Sequence, residues 1–173
     1  MPLTLCRRSG RIAAVALCVA AMSVSLAGRD GADSIPLMGH VVKTGLYLYS
    51  GHVNSLVRLS ASGVIVVNGQ PAENYKALLS QIHRISESPV RLLITTDHHV
   101  ERTGTNASFR AAGVQILAHE NVARNMVNAP AGDAHAEPPT RTYVRELSVT
   151  PGGIDVKVMH FGNAHTNGDS EIR

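Results

Sequence analysis

At residue 96 the chain changes character in a single step. Residues 90–95, Val-Arg-Leu-Leu-Ile-Thr, read as a buried strand by composition, and the apolar pattern then stops. The following stretch, from Thr96 to Gly104, is polar and holds Asp97, His98, His99, Glu101 and Arg102. Loops at strand ends are where α/β proteins place their chemistry. A second such loop lies downstream: residues 154–160 read as a strand, and residues 161–169 after it carry His165 and Asp169.

The rest of the pattern supplies a frame for these loops. Residues 41–50, 54–59 and 64–68 are β-rich, with turns at Gly51-His52 and over 60–63, so the chain opens on an antiparallel meander. Residues 71–85 follow as a helix. Tyr75, Leu78, Leu79, Ile82 and Ile85 share one face, and Pro71 suits a first turn. A short helix over 106–112, a strand over 114–118 and a helix over 121–127 come next. A loop rich in Pro, Ala and Gly spans 128–140. Residues 141–147 and 154–160 are predicted as a hairpin turned at Pro151-Gly152-Gly153, and 170–173 as the start of a strand without a partner. There are no internal repeats. A meander followed by βαβα units predicts an α/β fold, a sheet covered by helices.

The length, 173 residues, allows one domain with one sizeable core. With 44% hydrophobic and 17% charged residues the chain is globular rather than disordered. Aromatic residues are 3% and Trp is absent, which argues against a nucleic-acid partner bound by base stacking. Residues 1–27 read as a signal peptide. Arg7, Arg8 and Arg11 form a positive start, an apolar run covers 12–24, and Ser25-Leu26-Ala27 places small residues for cleavage after Ala27. A retained N-terminal anchor is the alternative, although the apolar run is short for a membrane span. Residues 28–40 read as a flexible start, and the domain proper as 41–173.

Removing Arg7, Arg8 and Arg11 takes the formal charge from +3 to zero, so the basic balance belongs to the signal. Cys6 and Cys18 leave with it, so a metal site in the mature chain has only His and carboxylate ligands. The expected location is the periplasm or the medium, with no membrane attachment after cleavage.

Asp97 and His99 are two apart, which in an extended segment puts them on one side, while His98 between them points away. A third ligand from the distant loop completes a facial set. Three protein ligands and an open position are what a catalytic zinc needs, and water bound there has a pKa of about 7. A solvated loop with an Asp cap is the plainer interpretation of the same residues. Asp133, His135 and Glu137 alternate in the Pro-rich loop and read as solvated. His119 reads as a capping or packed residue, and His160 as a neighbour of the second loop or a core residue. No Ser nucleophile elbow or phosphate-binding Gly loop is present.

The run Thr95-Thr96-Asp97-His98-His99-Val100-Glu101-Arg102-Thr103-Gly104-Thr105-Asn106 resembles the signature of the metallo-β-lactamase superfamily, Thr-His-x-His-x-Asp-His-x-Gly-Gly-Asn. Asn54-Ser55-Leu56-Val57 and Val64-Ile65-Val66-Val67-Asn68-Gly69 look like that family's opening strands. Ala118-His119-Glu120-Asn121 resembles its next strand-to-helix step, and residues 161–169 resemble its third metal motif, Gly-x-x-His-Thr-x-Gly-Asp. The resemblance covers about residues 41–173. It implies an αββα sandwich, incomplete at the C-terminus, and the N-terminal portion of a metal-dependent hydrolase.

The departures fall on the ligands. Asp97 stands at the family's first His, Glu101 at its Asp, Arg102 at its last motif His and Asn68 at an opening-strand Asp, while His99 and His165 are kept. The implied metal set is therefore Asp97, His99 and His165, holding one ion, zinc by preference, with iron or manganese as substitutes. Arg102 cannot ligate, because it stays protonated. It would supply the charge of a second metal. Glu101 would act as general base. His98, Arg102 and Asp169 are auxiliary candidates, His98 as a ligand if the loop register shifts by one. A metal-bound hydroxide would attack an ester, amide, lactam, thioester or phosphoester of a small-molecule substrate. The rival expectation is a non-catalytic remnant or binding module that retains the fold. The family continues past the third motif with more strands, helices and late ligands, so the chain is expected to be a fragment of a longer reading frame or a truncated product.

Overall fold

The computed structural model describes residues 36–129 and 136–173. The signal segment, residues 28–35 of the expected flexible start, Asp133 and His135 lie outside the described residues.

Four strands form the meander: β1 (Met38–Lys43), β2 (Leu46–Ser50), β3 (Asn54–Ser60) and β4 (Gly63–Val67). β1 begins at Met38, so the flexible start is corrected at residues 38–40, which pair with β2. The single run expected over 41–50 is also two strands. Lys43 pairs with Leu46 across a two-residue turn at Thr44-Gly45, and Gly45 takes φ 71, which a glycine adopts without steric cost.

From β4 the sheet turns parallel. β5 (Val90–Ile94), β6 (Gln115–His119) and β7 (Arg141–Tyr143) add in sequence order, giving a seven-stranded sheet. The crossovers carry α1 (Tyr75–His83), two short helices α2 (Val100–Thr103) and α3 (Asn106–Ala111), and α4 (Glu120–Val127). A one-turn 3₁₀ helix (Ala72–Asn74) precedes α1, so the helical stretch expected over 71–85 is helical in two steps. A three-stranded antiparallel sheet of β8 (Glu146–Val149), β9 (Val156–Met159) and β10 (Glu171–Ile172) completes the described residues, with β9 in the middle.

Alternation along the strands divides the core. Val64 and Val66 of β4, Leu93 of β5 and Ile116 of β6 face the helices and bury Leu78, Ile82 and Phe109 there. Ile65, Leu92, Ile94 and Leu117 face the second sheet and meet Val156 and Val158 of β9. Each side chain buried this completely contributes roughly 1.5–3 kcal/mol. α4 packs Val122 and Met126 on Ala118. The layers run helices, sheet, sheet, which is an α/β arrangement of the αββα kind; among the described residues no helix covers the outer face of the smaller sheet.

Two expectations on the C-terminal third are corrected. The hairpin of 141–147 with 154–160 divides: β7 joins β6 in the large sheet, and only β8 pairs with β9. The chain changes sheets at Val144-Arg145, where the Arg145 carbonyl accepts from the His160 amide at 2.8 Å. The strand beginning near residue 170 has a partner after all, since Ile172 pairs with Val158. No helix among the described residues is long and apolar enough to cross a membrane.

Candidate metal centre

Both polar loops leave the C-terminal ends of their strands, one from β5 in the large sheet and one from β9 in the small. They are joined directly: the Ser170 amide donates to the Thr96 carbonyl at 3.0 Å. Asn68 anchors the first loop. It ends β4 in the left-handed region, φ 61, where Asn is one of the few residues tolerated. Its Oδ1 accepts from the Thr96 amide and hydroxyl, each at 2.9 Å.

Asp97 is the hub of the loop and is only 5% exposed. Its Oδ1 accepts the His99 amide at 3.0 Å and lies 3.0 Å from His99 Nδ1. Its Oδ2 is 3.2 Å from Nε of Arg102. Asp97 and His99 thus share a side, as expected, but through an i, i+2 turn contact to the His99 backbone and not through an extended segment. From His99 the chain enters α2, whose backbone is held from below: the Gly69 amide donates to the Arg102 carbonyl at 2.9 Å. A side chain at Gly69 would collide with Thr105 Oγ1 and the Arg102 carbonyl, so only glycine permits this approach.

The second loop brings His165 to the first. The ring centroids of His99 and His165 are 4.9 Å apart and tilted by 35°. Asp169, the auxiliary candidate, lies beside His165 and braces the second loop. Its Oδ2 accepts the Thr166 amide at 2.9 Å and its Oδ1 the Thr166 hydroxyl at 2.6 Å, so it folds its own loop. Burial acts to raise the Asp169 carboxyl; the hydrogen bonds from Thr166 and the His165 amide outweigh it and hold the group below its ordinary value.

His98 departs from its expected outward orientation. Its ring stacks on His99 with centroids 4.7 Å apart, and its Nδ1 lies 3.3 Å from the side-chain Nδ2 of Asn125 in α4. Residues 96 and 97 form a bend rather than an extended strand, so the rule that neighbours point apart fails here. Burial, and then the adjacent His99, lower the His98 pKa. Glu101 is exposed in the first turn of α2 and makes no hydrogen bond or ion pair among the described residues.

Sequence reasoning missed the carboxamide brace of α4. Asn125 donates to Asn167 Oδ1 at 2.7 Å and Asn121 to the Asn167 carbonyl at 2.6 Å, tying the second loop to the helix. The i, i+4 spacing of Asn121 and Asn125 on one helical face was the available signal. His119, a capping or packed residue by expectation, is both. Its Nδ1 accepts the Asn121 amide at the start of α4, its Nε2 faces the Val144 carbonyl at 2.7 Å, and its ring stacks on His160 at 3.8 Å. His160 in turn bonds the Asp169 carbonyl through Nδ1 at 2.8 Å, which puts it beside the second loop.

The arrangement of strands and helices matches solved metallo-β-lactamases. The enzyme of Pontibacter korlensis superposes with a TM-score of 0.69 at 18% identity, over 79% of this chain and 66% of that one. The fold is that of the metallo-β-lactamases. The subclass B3 enzyme BJP-1 of Bradyrhizobium japonicum gives 0.67 at 17% identity, covering 80% and 57%. MIM-1 of Novosphingobium pentaromativorans gives 0.65 at 21%, covering 84% and 59%. Among curated proteins, the chain is 32% identical over 117 residues to the 2,4-dinitroanisole O-demethylase subunit alpha of Nocardioides sp. strain JS1661. That match takes in 64% of this chain and 34% of the relative. The chain therefore spans about a third of the length of this curated relative and less than two thirds of some of the solved structures it matches. No protein-family model matches it.

A metallo-β-lactamase fold raises the question of whether these residues suit an ion. By donor chemistry they do: two imidazoles and a carboxylate form a set that zinc accepts. Their placement also gathers them, through the Asp97–His99 contact and the His99–His165 ring contact. Among the described residues, however, no three His, Cys, Asp or Glu are already disposed around a common point. Asp97 is turned toward Arg102 instead.

Proposed function

We propose that this chain is the ion-holding portion of a hydrolase with the metallo-β-lactamase fold, with Asp97, His99 and His165 as ligands to a single zinc. One observation carries the reading. Loops from two different sheets meet at the His99–His165 contact, 4.9 Å between ring centroids, and Asp97 stands 3.0 Å from His99. When bound, zinc supplies Lewis acidity toward water and a substrate oxygen.

The chain's own residues do the rest. Asp97 orders the loop by accepting the His99 backbone amide. Asn125 steadies His98 beside it, and Asn167 keeps His165 in place through the helix brace. Glu101, exposed and unpaired among the described residues, is free to take a proton from an attacking water. The substrate is a small molecule with an ester, amide, lactam, thioester or phosphoester bond; the demethylase relative adds an aryl methyl ether to that range. Export with cleavage after Ala27 is part of the same proposal.

The experiment is metal analysis of the exported protein, whose first residue by N-terminal sequencing is expected to be Gly28. About one zinc per chain, lost in His99→Ala, is the expected result. No bound metal under zinc-replete conditions favours the second reading, a remnant or binding module that retains the fold. That reading has one observation of its own, the engagement of Asp97 by Arg102 at 3.2 Å.

A further inference from the structure

Arg102 and an ion at this centre need the same carboxylate. Asp97 is the one acid of the ligand set and is buried, so its charge has to be balanced locally. Arg102 provides that balance through Nε at 3.2 Å, and its guanidinium has no other partner among the described residues. A divalent cation ligated by Asp97 would sit against the guanidinium, where like charges repel strongly because the surroundings are partly shielded from water.

The backbone and side chain of Arg102 differ in freedom. The backbone is pinned at both polar groups: its amide donates to the His99 carbonyl at 2.9 Å, and its carbonyl accepts from Gly69 at 2.9 Å. The side chain is 29% exposed, so the guanidinium can turn into solvent without disturbing α2.

We propose that Arg102 is a built-in counter-ion that competes with the metal for Asp97, and that loading the centre requires the guanidinium to swing off the carboxylate. The inference rests on Asp97, His99 and His165 being the ligands. It replaces the simpler expectation that Arg102 stands in for a second metal alongside the first: the two cations exclude each other at Asp97 instead of sharing the centre. A protein built this way is self-neutralised when metal-free and takes up zinc weakly for its ligand set.

The test is a zinc titration of the full chain, followed calorimetrically, for the wild type, Arg102→Gln and Arg102→Lys. Arg102→Gln is expected to bind at least tenfold more tightly than the wild type, and Arg102→Lys, which keeps the charge, within a few-fold of it. A second measurement uses the unaltered protein, in case Arg102→Gln does not fold. Labelling of Arg102 by phenylglyoxal, located by peptide mass spectrometry, is expected to quicken several-fold when zinc is added. Equal or weaker zinc binding by Arg102→Gln, or labelling that zinc leaves unchanged or slows, overturns the competition while the ligand assignment stands. If neither the wild type nor Arg102→Gln binds zinc in a manner that His99→Ala abolishes, the ligand assignment itself falls.

Discussion

One carboxylate organises the loop after β5. Asp97 takes one hydrogen bond from the His99 backbone and faces both the His99 ring and Arg102, so its loss releases three contacts at once. Asp97→Asn keeps the shape and removes the charge. It is expected to lower stability by roughly 1–3 kcal/mol, less than the cost for a fully buried pair because Arg102 reaches solvent. A urea unfolding midpoint checks this, and an unchanged midpoint would mean that the pair is idle in the folded state. Much of this was legible at the level of residues. Asp97 and His99 were paired by their spacing of two, although a bend and a backbone hydrogen bond bring them together where an extended segment was expected, and the resemblance to a metal motif picked His165 from a loop far along the chain. His98 and Asn125 were not legible in the same way, because their contact depends on how α4 packs against a bend, which no local spacing encodes.

Elements that a sequence pattern marks by composition came out with their type right and their joints wrong. The meander, the helix over Leu78 and Ile82, and the strands β5 and β6 all follow from periodicity. The two-residue turn at Thr44-Gly45 was hidden inside a continuous β-rich run. The division between β7 and β8 was hidden because moving from one sheet to another needs no Gly or Pro. His119 acts at one of these joints. Since Nδ1 accepts from Asn121, the proton sits on Nε2 and is donated to Val144, which ties the start of α4 to the sheet crossing. Burial is the largest influence on His119 and lowers its pKa from the ordinary 6.5. The neutral form is therefore favoured in the fold. Its contribution is complete above pH 6.5 and is lost as pH falls below that value toward the folded pKa, because the unfolded chain takes up the proton first. Melting temperatures measured from pH 7.5 to 5 are expected to fall on the acid side. His119→Asn, which keeps a capping acceptor but cannot titrate, is expected to melt lower at pH 7.5 and to lose less on acidification. A parallel decline in both proteins would remove His119 as a cause.

Across the whole molecule, two sheets meet on one apolar layer, and the loops bearing the candidate ligands come one from each. Ile65, Leu92 and Ile94 on one side and Val156 and Val158 on the other hold that layer together. To one side of it a groove of about 720 Å³ opens between the face of β2 to β4 and the strand β10, floored by Leu48, Leu56 and Val67. Among the described residues the smaller sheet has three strands against seven in the larger, with the two-residue β10 at one edge. The His99–His165 contact then matters for mechanics as well as chemistry. An ion gripping both rings would act as a clasp across the seam, converting a packed interface into a fastened one. Ligand at a hundredfold excess over its dissociation constant stabilises by about 2.7 kcal/mol. Spread through the structure, that gain would appear first where opening is easiest, as slower amide exchange in β9 and β10 with little change in β3 and β4. Equal slowing everywhere would mean that the two sheets already open as one body, and that the seam has no weakness for an ion to close.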